Sequence, residues 1–180
     1  MEIRKCSVEE AEAVGNFYDA TVKFMDDNGV NYPKWRYKIF PTTNYAVDAA
    51  RAGDLFICMD GEKILAAFVL CENPEGDYSK GNWSKNLTEG EYLVLHAFAV
   101  APNLWRQGLG KKIIEYCINY TAEKNYRALR LDIVPSNFPA KKLYEAYGFK
   151  FVGAADFGRT FSGIEQFCIA FESKNYRQIQ

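Results

Sequence analysis

Residues 92–100 read Tyr-Leu-Val-Leu-His-Ala-Phe-Ala-Val, apolar or aromatic at every place but one. A strand of this composition offers water no face, so it belongs in a sheet covered on both sides. Pro102 ends it, Gly108 and Gly110 shape a turn, and an amphipathic helix follows. On that helix Leu109, Ile113, Ile114, Cys117, Ile118 and Thr121 fall on one stripe, while Lys111, Lys112, Glu115, Asn119 and Glu123 face out. A glycine turn at a helix N-terminus presents backbone N–H groups at the positive end of the helix dipole, a natural seat for a phosphate. Arg106 and Lys111 add positive charge beside it.

The flanking segments supply the layers this strand needs. Residues 2–6 read as a short strand, and Ser7 with Glu10 has capping-box spacing. The helix that follows places Val8, Ala11, Val14, Tyr18, Val22 and Met25 on one face and ends near Asn28-Gly29. Residues 30–41 are rich in rings, which either cover the core or wall a pocket for an apolar acceptor group. A helix is expected over 43–52 with Gly53 as its cap. Strands at 55–59 and 64–71 are joined through Asp60-Gly61, a hairpin signal. The polar stretch 72–90 is a long loop, of the kind that is often mobile or functional. A strand at 128–134 comes next, then a short helix capped by Asn137 or Ser136 and closed at Gly148, and strands at 149–155 and 165–172. These last strands could pair between two copies, which makes a homodimer an open possibility. The order β-α-α-β-β-β-α-β-α-β-β reads as one α/β domain over 1–180, a mixed sheet with helices on its faces.

Composition narrows the function. The chain has 180 residues and a net charge of -1, which argues against a nucleic-acid binder. No apolar run approaches the ~18 residues of a membrane span, and the N-terminus lacks a signal-peptide core, so a cytoplasmic location is expected. The five cysteines (Cys6, Cys58, Cys71, Cys117 and Cys168) show no Cys-x-x-Cys pair, sit in apolar segments and read as inert thiols. With one histidine, a structural zinc site is not expected. Two phosphate motifs fail on the letters. A P-loop needs Gly at 105 and Ser or Thr at 112, which are Trp105 and Lys112. A dinucleotide fingerprint needs Gly at 113, which is Ile113.

A third pattern fits. Val100-x-Pro102 followed by Arg106-Gln107-Gly108-Leu109-Gly110 resembles the acetyl-CoA-binding motif of the GCN5-related N-acetyltransferase (GNAT) superfamily. Asn137-x-x-Ala140-x-x-Leu143-Tyr144-x-x-x-Gly148-Phe149 resembles that superfamily's second motif. One departure stands out: three residues before the first glycine the superfamily usually carries Arg or Gln, and here it is Trp105.

The resemblance implies a fold in which the central strand splays from its parallel neighbour and CoA enters the gap. Acetyl-CoA would serve as acyl-donor cosubstrate. Its pantetheine arm would pair with Phe98, Ala99 and Val100. Its pyrophosphate would rest on Arg106, Gln107, Gly108, Leu109, Gly110 and Lys111, and Asn137 would bond the arm. Tyr144 becomes the candidate general acid for the departing thiolate; on spacing alone it is equally a core ring. His96, in a strand that resembles that of the arylalkylamine acetyltransferases, becomes the candidate base, directly or through water, against the reading of a hydrogen-bonded core histidine. Glu91 is the weaker alternative base. The implied activity is acetyl transfer to a primary amine of a small molecule or peptide, with no metal, nucleic acid or membrane involved. The competing reading is an acyl-CoA sensor or interaction module that has lost the chemistry.

Overall fold

The computed structural model describes residues 1–161 and 164–172, with side chains described through 154 and at Asp156. These residues gather into two compact units, Met1–Leu70 with His96–Gly110, and Cys71–Leu95 with Lys111 onward.

In the first unit, β1 (Glu2–Lys5) pairs antiparallel with β2 (Leu55–Asp60), which turns at Gly61 into antiparallel β3 (Lys63–Cys71). Gly61 has φ 56°, the left-handed conformation that the Asp60-Gly61 signal calls for. Helix α1 (Ala11–Asp27) buries Ala11, Val14, Tyr18, Val22 and Met25. It begins later than the spacing suggests. Residues 8–10 form a turn, and Val8 lies outside the buried face, 40% exposed. Only half of the expected capping box forms: the Ser7 N–H donates to Glu10 at 3.0 Å, and no side chain caps the helix. Arg4 shares the same Glu10 carboxylate, holding it with two nitrogens at 2.8 and 2.6 Å. That bidentate pair, with the Ser7 N–H, lowers the Glu10 pKa to about 2.

Helix α2 (Thr43–Ala52) spans the residues read for it and ends at the Gly53 cap, and the structure adds an N-cap. Thr42 Oγ1 accepts from the Tyr45 N–H at 3.1 Å, and Gly53 closes the helix at φ 76°. It packs tightly on α1. A Cβ added at Gly15 would lie 2.2 Å from Thr43 Oγ1 and 2.6 Å from Thr43 Cα, so the contact depends on a residue without a side chain.

The second unit holds the first part of β4 (Tyr92–Val100), followed by β5, β7 and β6 in that order. The parallel β4–β5 ladder covers only Tyr92↔Ala128, Leu93↔Leu129 and Val94↔Arg130. β5 (Ala128–Ile133) continues antiparallel with β7 (Ile164–Glu172), and β7 with β6 (Lys150–Phe161). β6 is longer than the sequence suggests because it bulges twice along β7, which keeps it paired past Ala155. Helix α3 (Leu109–Glu123) buries the stripe anticipated for it, with Ile113, Ile114 and Cys117 fully enclosed. Helix α4 (Phe138–Ala146) ends before Gly148, at φ 78°. Among the described residues, no helix is long and apolar enough to cross a membrane.

Residues 72–90 form the long loop read for them, with one 3-10 turn at Tyr78–Lys80, and several of their side chains pack inward. Tyr78 and Leu87 are buried with Tyr92, Val94 and Ala128, and Trp83 packs against them. The Arg130 guanidinium lies between the rings of Trp83 and Tyr92, at 4.3 and 4.2 Å, and donates to Lys85 O at 2.9 Å. Arg130 is 2% exposed. Two ring faces and a carbonyl take the place of the water it gives up. The loop also reaches β6, where Asn82 N–H donates to Val152 O at 3.0 Å.

Candidate functional site

The first motif lies within one unit, so its geometry can be built from its own residues. β4 enters this unit at His96, which is 8% exposed. The next residue breaks the strand's regularity: Ala97 has φ 45°, a conformation costly for a residue with a Cβ. A long-range bond holds it there. The fully buried Tyr18 hydroxyl donates to Ala97 O at 2.8 Å. This positive φ interrupts the regular extended backbone just before Phe98, Ala99 and Val100. Ala99 is buried, while Phe98 and Val100 are half-buried. Phe98 sets its ring edge-on to Phe68, with centroids 6.2 Å apart.

After β4 the chain is stapled by Ala101 N–H to Leu65 O at 2.8 Å and makes a 3-10 turn at Pro102–Leu104. Trp105 then donates its indole N–H back to Val100 O at 2.7 Å and meets Phe24 edge-on, with centroids 5.7 Å apart. Arg106 and Gly108 both take positive φ, 61° and 85°. Gln107 spends its amide on the loop, donating to Asn103 O at 2.7 Å. Leu109 is buried, and Gly110 and Lys111 lie in the first turn of α3, whose leading N–H groups have no intrahelical partners. A Cβ built at Gly108 meets nothing within 4 Å, so open space lies over the backbone at the middle of the turn. Arg106 and Lys111 are exposed. The donor set suits a pyrophosphate: backbone N–H groups, a helix start, two cations nearby and room for close approach.

The second motif lies in the other unit. Asn137 stands at the N-cap position of α4, but its side chain makes no capping bond, contrary to expectation. Pro139, early in the helix, needs no such partner for its nitrogen. Tyr144 is 4% exposed, and its ring packs against Phe149 with centroids 5.5 Å apart. Burial above all, with the nearby Asp132, pushes its phenol pKa well above the usual tyrosine value.

The profile of the acetyltransferase (GNAT) family matches residues 20–149, which include both motifs. The chain belongs to the GNAT acetyltransferase family. Among curated proteins it is similar to the uncharacterised N-acetyltransferase YesJ of Bacillus subtilis, 23% identical over 147 residues that cover 81% of this chain and 79% of YesJ. Among solved structures it resembles a GNAT acetyltransferase of Streptococcus agalactiae, with TM-score 0.77, 14% identity and coverage of 97% and 95% of the two chains. It also resembles YncA of Salmonella typhimurium, solved with its cofactor acetyl-CoA, with TM-score 0.65, 14% identity and coverage of 96% and 92%.

Two alternatives fall away on this geometry. Glu91 is a poor base: Thr88 N–H at 2.8 Å and Arg127 at 2.5 Å hold its carboxylate ionised, with a pKa of about 2. Cys6, Cys58, Cys71 and Cys117 are all buried free thiols; burial raises Cys6 to about 11 and pushes Cys117 well above its ordinary value, so neither offers a nucleophile. The Cys168 side chain lies outside the described ones. The rings of 30–41 divide: Tyr37 is 44% exposed, while two others pack on rings of the helices. Trp35 lies edge-on to both Tyr18 and Phe40, and Phe40 to Tyr45, as core-covering rings would. Sequence reasoning missed Tyr18 as a residue of the site. The available signal was a hydroxyl on the fully apolar face of α1, which needed a buried partner.

Proposed function

We propose that the protein transfers an acetyl group from acetyl-CoA to the primary amine of a small molecule or peptide, using residues 1–180 as one acetyltransferase domain. The observation that supports this most is the turn at 105–110. There two positive-φ residues lead into the start of α3, and open space lies over Gly108.

In this reading the pyrophosphate is held by backbone at Arg106, Gln107, Gly108, Leu109, Gly110 and Lys111. The pantetheine arm pairs with Phe98, Ala99 and Val100. The roles of Asn137 and Tyr144 rest on their places in the second motif. His96, or a water it orients, removes a proton from the incoming ammonium, because only the free amine has a lone pair to donate. The nitrogen attacks the thioester carbonyl, forming C–N, and a backbone N–H among 98–100 stabilises the developing oxyanion. On collapse the C–S bond breaks, and the CoA sulfur takes a proton from Tyr144. The burial that raises the phenol's pKa also raises that of a thiolate released in the same surroundings, so the transfer stays near balance.

The test is a screen of primary amines with acetyl-CoA, run on wild type and on Tyr144→Phe. The expected result is turnover by wild type and a kcat about a hundredfold lower in the variant, as for loss of a general acid. The KM for acetyl-CoA should be unchanged. Equal kcat would remove Tyr144 as the acid. Binding of acetyl-CoA without turnover on any amine would favour the sensor reading.

A further inference from the structure

Trp105 stands where the resembled motif carries a residue able to reach a phosphate, and its indole is committed elsewhere. Its N–H is bonded to Val100 O at 2.7 Å, closing a ring of chain from the last residue of β4 to the threshold of the turn. Its ring rests edge-on against Phe24 of α1. We propose that Trp105 is a positioning residue: it holds the 105–110 turn in the shape that binds the donor's pyrophosphate, so that backbone supplies what a cationic side chain would otherwise add. This rests on the binding of acetyl-CoA at that turn.

The physical need for such a brace is visible in the next residue. Arg106 has a Cβ and sits at φ 61°, a conformation that persists only when its surroundings impose it. Local backbone bonds lengthen along the turn: Leu104 N–H to Ala101 O spans 2.9 Å, Trp105 N–H to Pro102 O 3.2 Å and Gln107 N–H to Leu104 O 3.4 Å. The shortest are the indole bond to Val100 O and the Gln107 amide bond to Asn103 O, both 2.7 Å. Of these two, only the indole ties the turn to β4, and through Phe24 to α1. The same helix fixes Ala97 through Tyr18. α1 therefore grips the end of β4 on either side of Phe98, Ala99 and Val100. Trp105 sets where the turn begins relative to that segment, and so the distance a bound donor must span.

Three variants separate this from a lost cation site. Trp105→Phe keeps the ring on Phe24 and removes the N–H. Trp105→Arg restores the residue usual in the motif. Phe24→Ala removes a 42% exposed ring and leaves the indole bond in place. Amide hydrogen exchange over residues 101–110, measured without ligand, is expected to rise in Trp105→Phe and Trp105→Arg and less in Phe24→Ala. Acetyl-CoA titration by calorimetry is expected to show Kd about fivefold higher for Trp105→Phe, the loss of one ordinary hydrogen bond. Trp105→Arg should also bind more weakly than wild type despite its added charge. Tighter binding by Trp105→Arg, or wild-type exchange and Kd in Trp105→Phe, would overturn the proposal. If wild type itself binds no acetyl-CoA, the functional reading fails, and the exchange data still decide whether Trp105 holds the turn.

Discussion

Two loops of this molecule are closed by the same device and put to opposite uses. In one, Trp83 donates its indole N–H to Tyr78 O at 2.6 Å; in the other, Trp105 donates to Val100 O at 2.7 Å, in each case five residues back. The loop around Trp83 is filled by the protein itself, with Arg130 stacked beneath the ring and Tyr78 and Leu87 buried beside it. The loop after Trp105 is left open, with Gly108 at positive φ under empty space and Arg106 exposed. A tryptophan clasp thus says only that a loop is held. What occupies the space beside it decides whether the loop is core or site.

The contrast can be broken most strongly at Arg130. Arg130→Ala removes a buried cation from between two rings and leaves a void, a loss of about 3 kcal/mol. For a chain of this size that is roughly 6–12 °C in melting temperature. Acetyl-CoA affinity, measured below the melting range, should change little. A large loss of affinity with an unchanged melting temperature would reverse the roles given to the two loops.

Gly108→Val tests the open loop. The new Cβ meets nothing within 4 Å beyond its chain neighbours, so the main stability cost is that of the backbone conformation, about 1–2 kcal/mol for a positive φ. It fills the space through which a phosphate would approach the backbone. Acetyl-CoA Kd is expected to rise tenfold or more by calorimetry. A Kd within twofold of wild type would show that the pyrophosphate binds elsewhere.

The smallest effect lies in the fastening of the closed loop. Glu91 accepts from Thr88 N–H and from Arg127, and these partners lower its pKa from an ordinary 4.5 to about 2. Because the folded value is the lower one, the stabilisation is present above pH 4.5. It is lost as pH falls from there to about 2. Melting temperature against pH should therefore be flatter in Glu91→Gln than in wild type across that window. Parallel curves would mean that the fully exposed carboxylate contributes nothing measurable.

Much of this was legible in the sequence where local chemistry decides the outcome. β4 runs over the nine residues read for it, α2 ends at its Gly53 cap, and α3 buries the stripe set by its spacing. The family followed from two motifs whose glycines and helix start carry a local physical meaning. What escaped was set by partners far along the chain. The positive φ at Ala97 leaves no trace in an alanine and depends on Tyr18, 79 residues away. Arg130 reads as an outward residue on a strand until Trp83 covers it. The polar loop 72–90 hides its packing because only a few of its side chains turn inward. The capping box at Ser7 keeps its carboxylate half, shared with Arg4, and lacks the side-chain cap, a division that spacing alone does not foretell.

The central claim is that the open turn at 105–110 holds acetyl-CoA. Its most direct test is a thermal melt of the wild-type protein with saturating acetyl-CoA, run beside NADH and ATP at the same concentrations. At a hundred times its Kd a ligand adds about 2.7 kcal/mol, roughly 5–10 °C for a chain this size. The account predicts that shift with acetyl-CoA and none of comparable size with the nucleotides. No shift with acetyl-CoA, or a larger one with NADH or ATP, would contradict it.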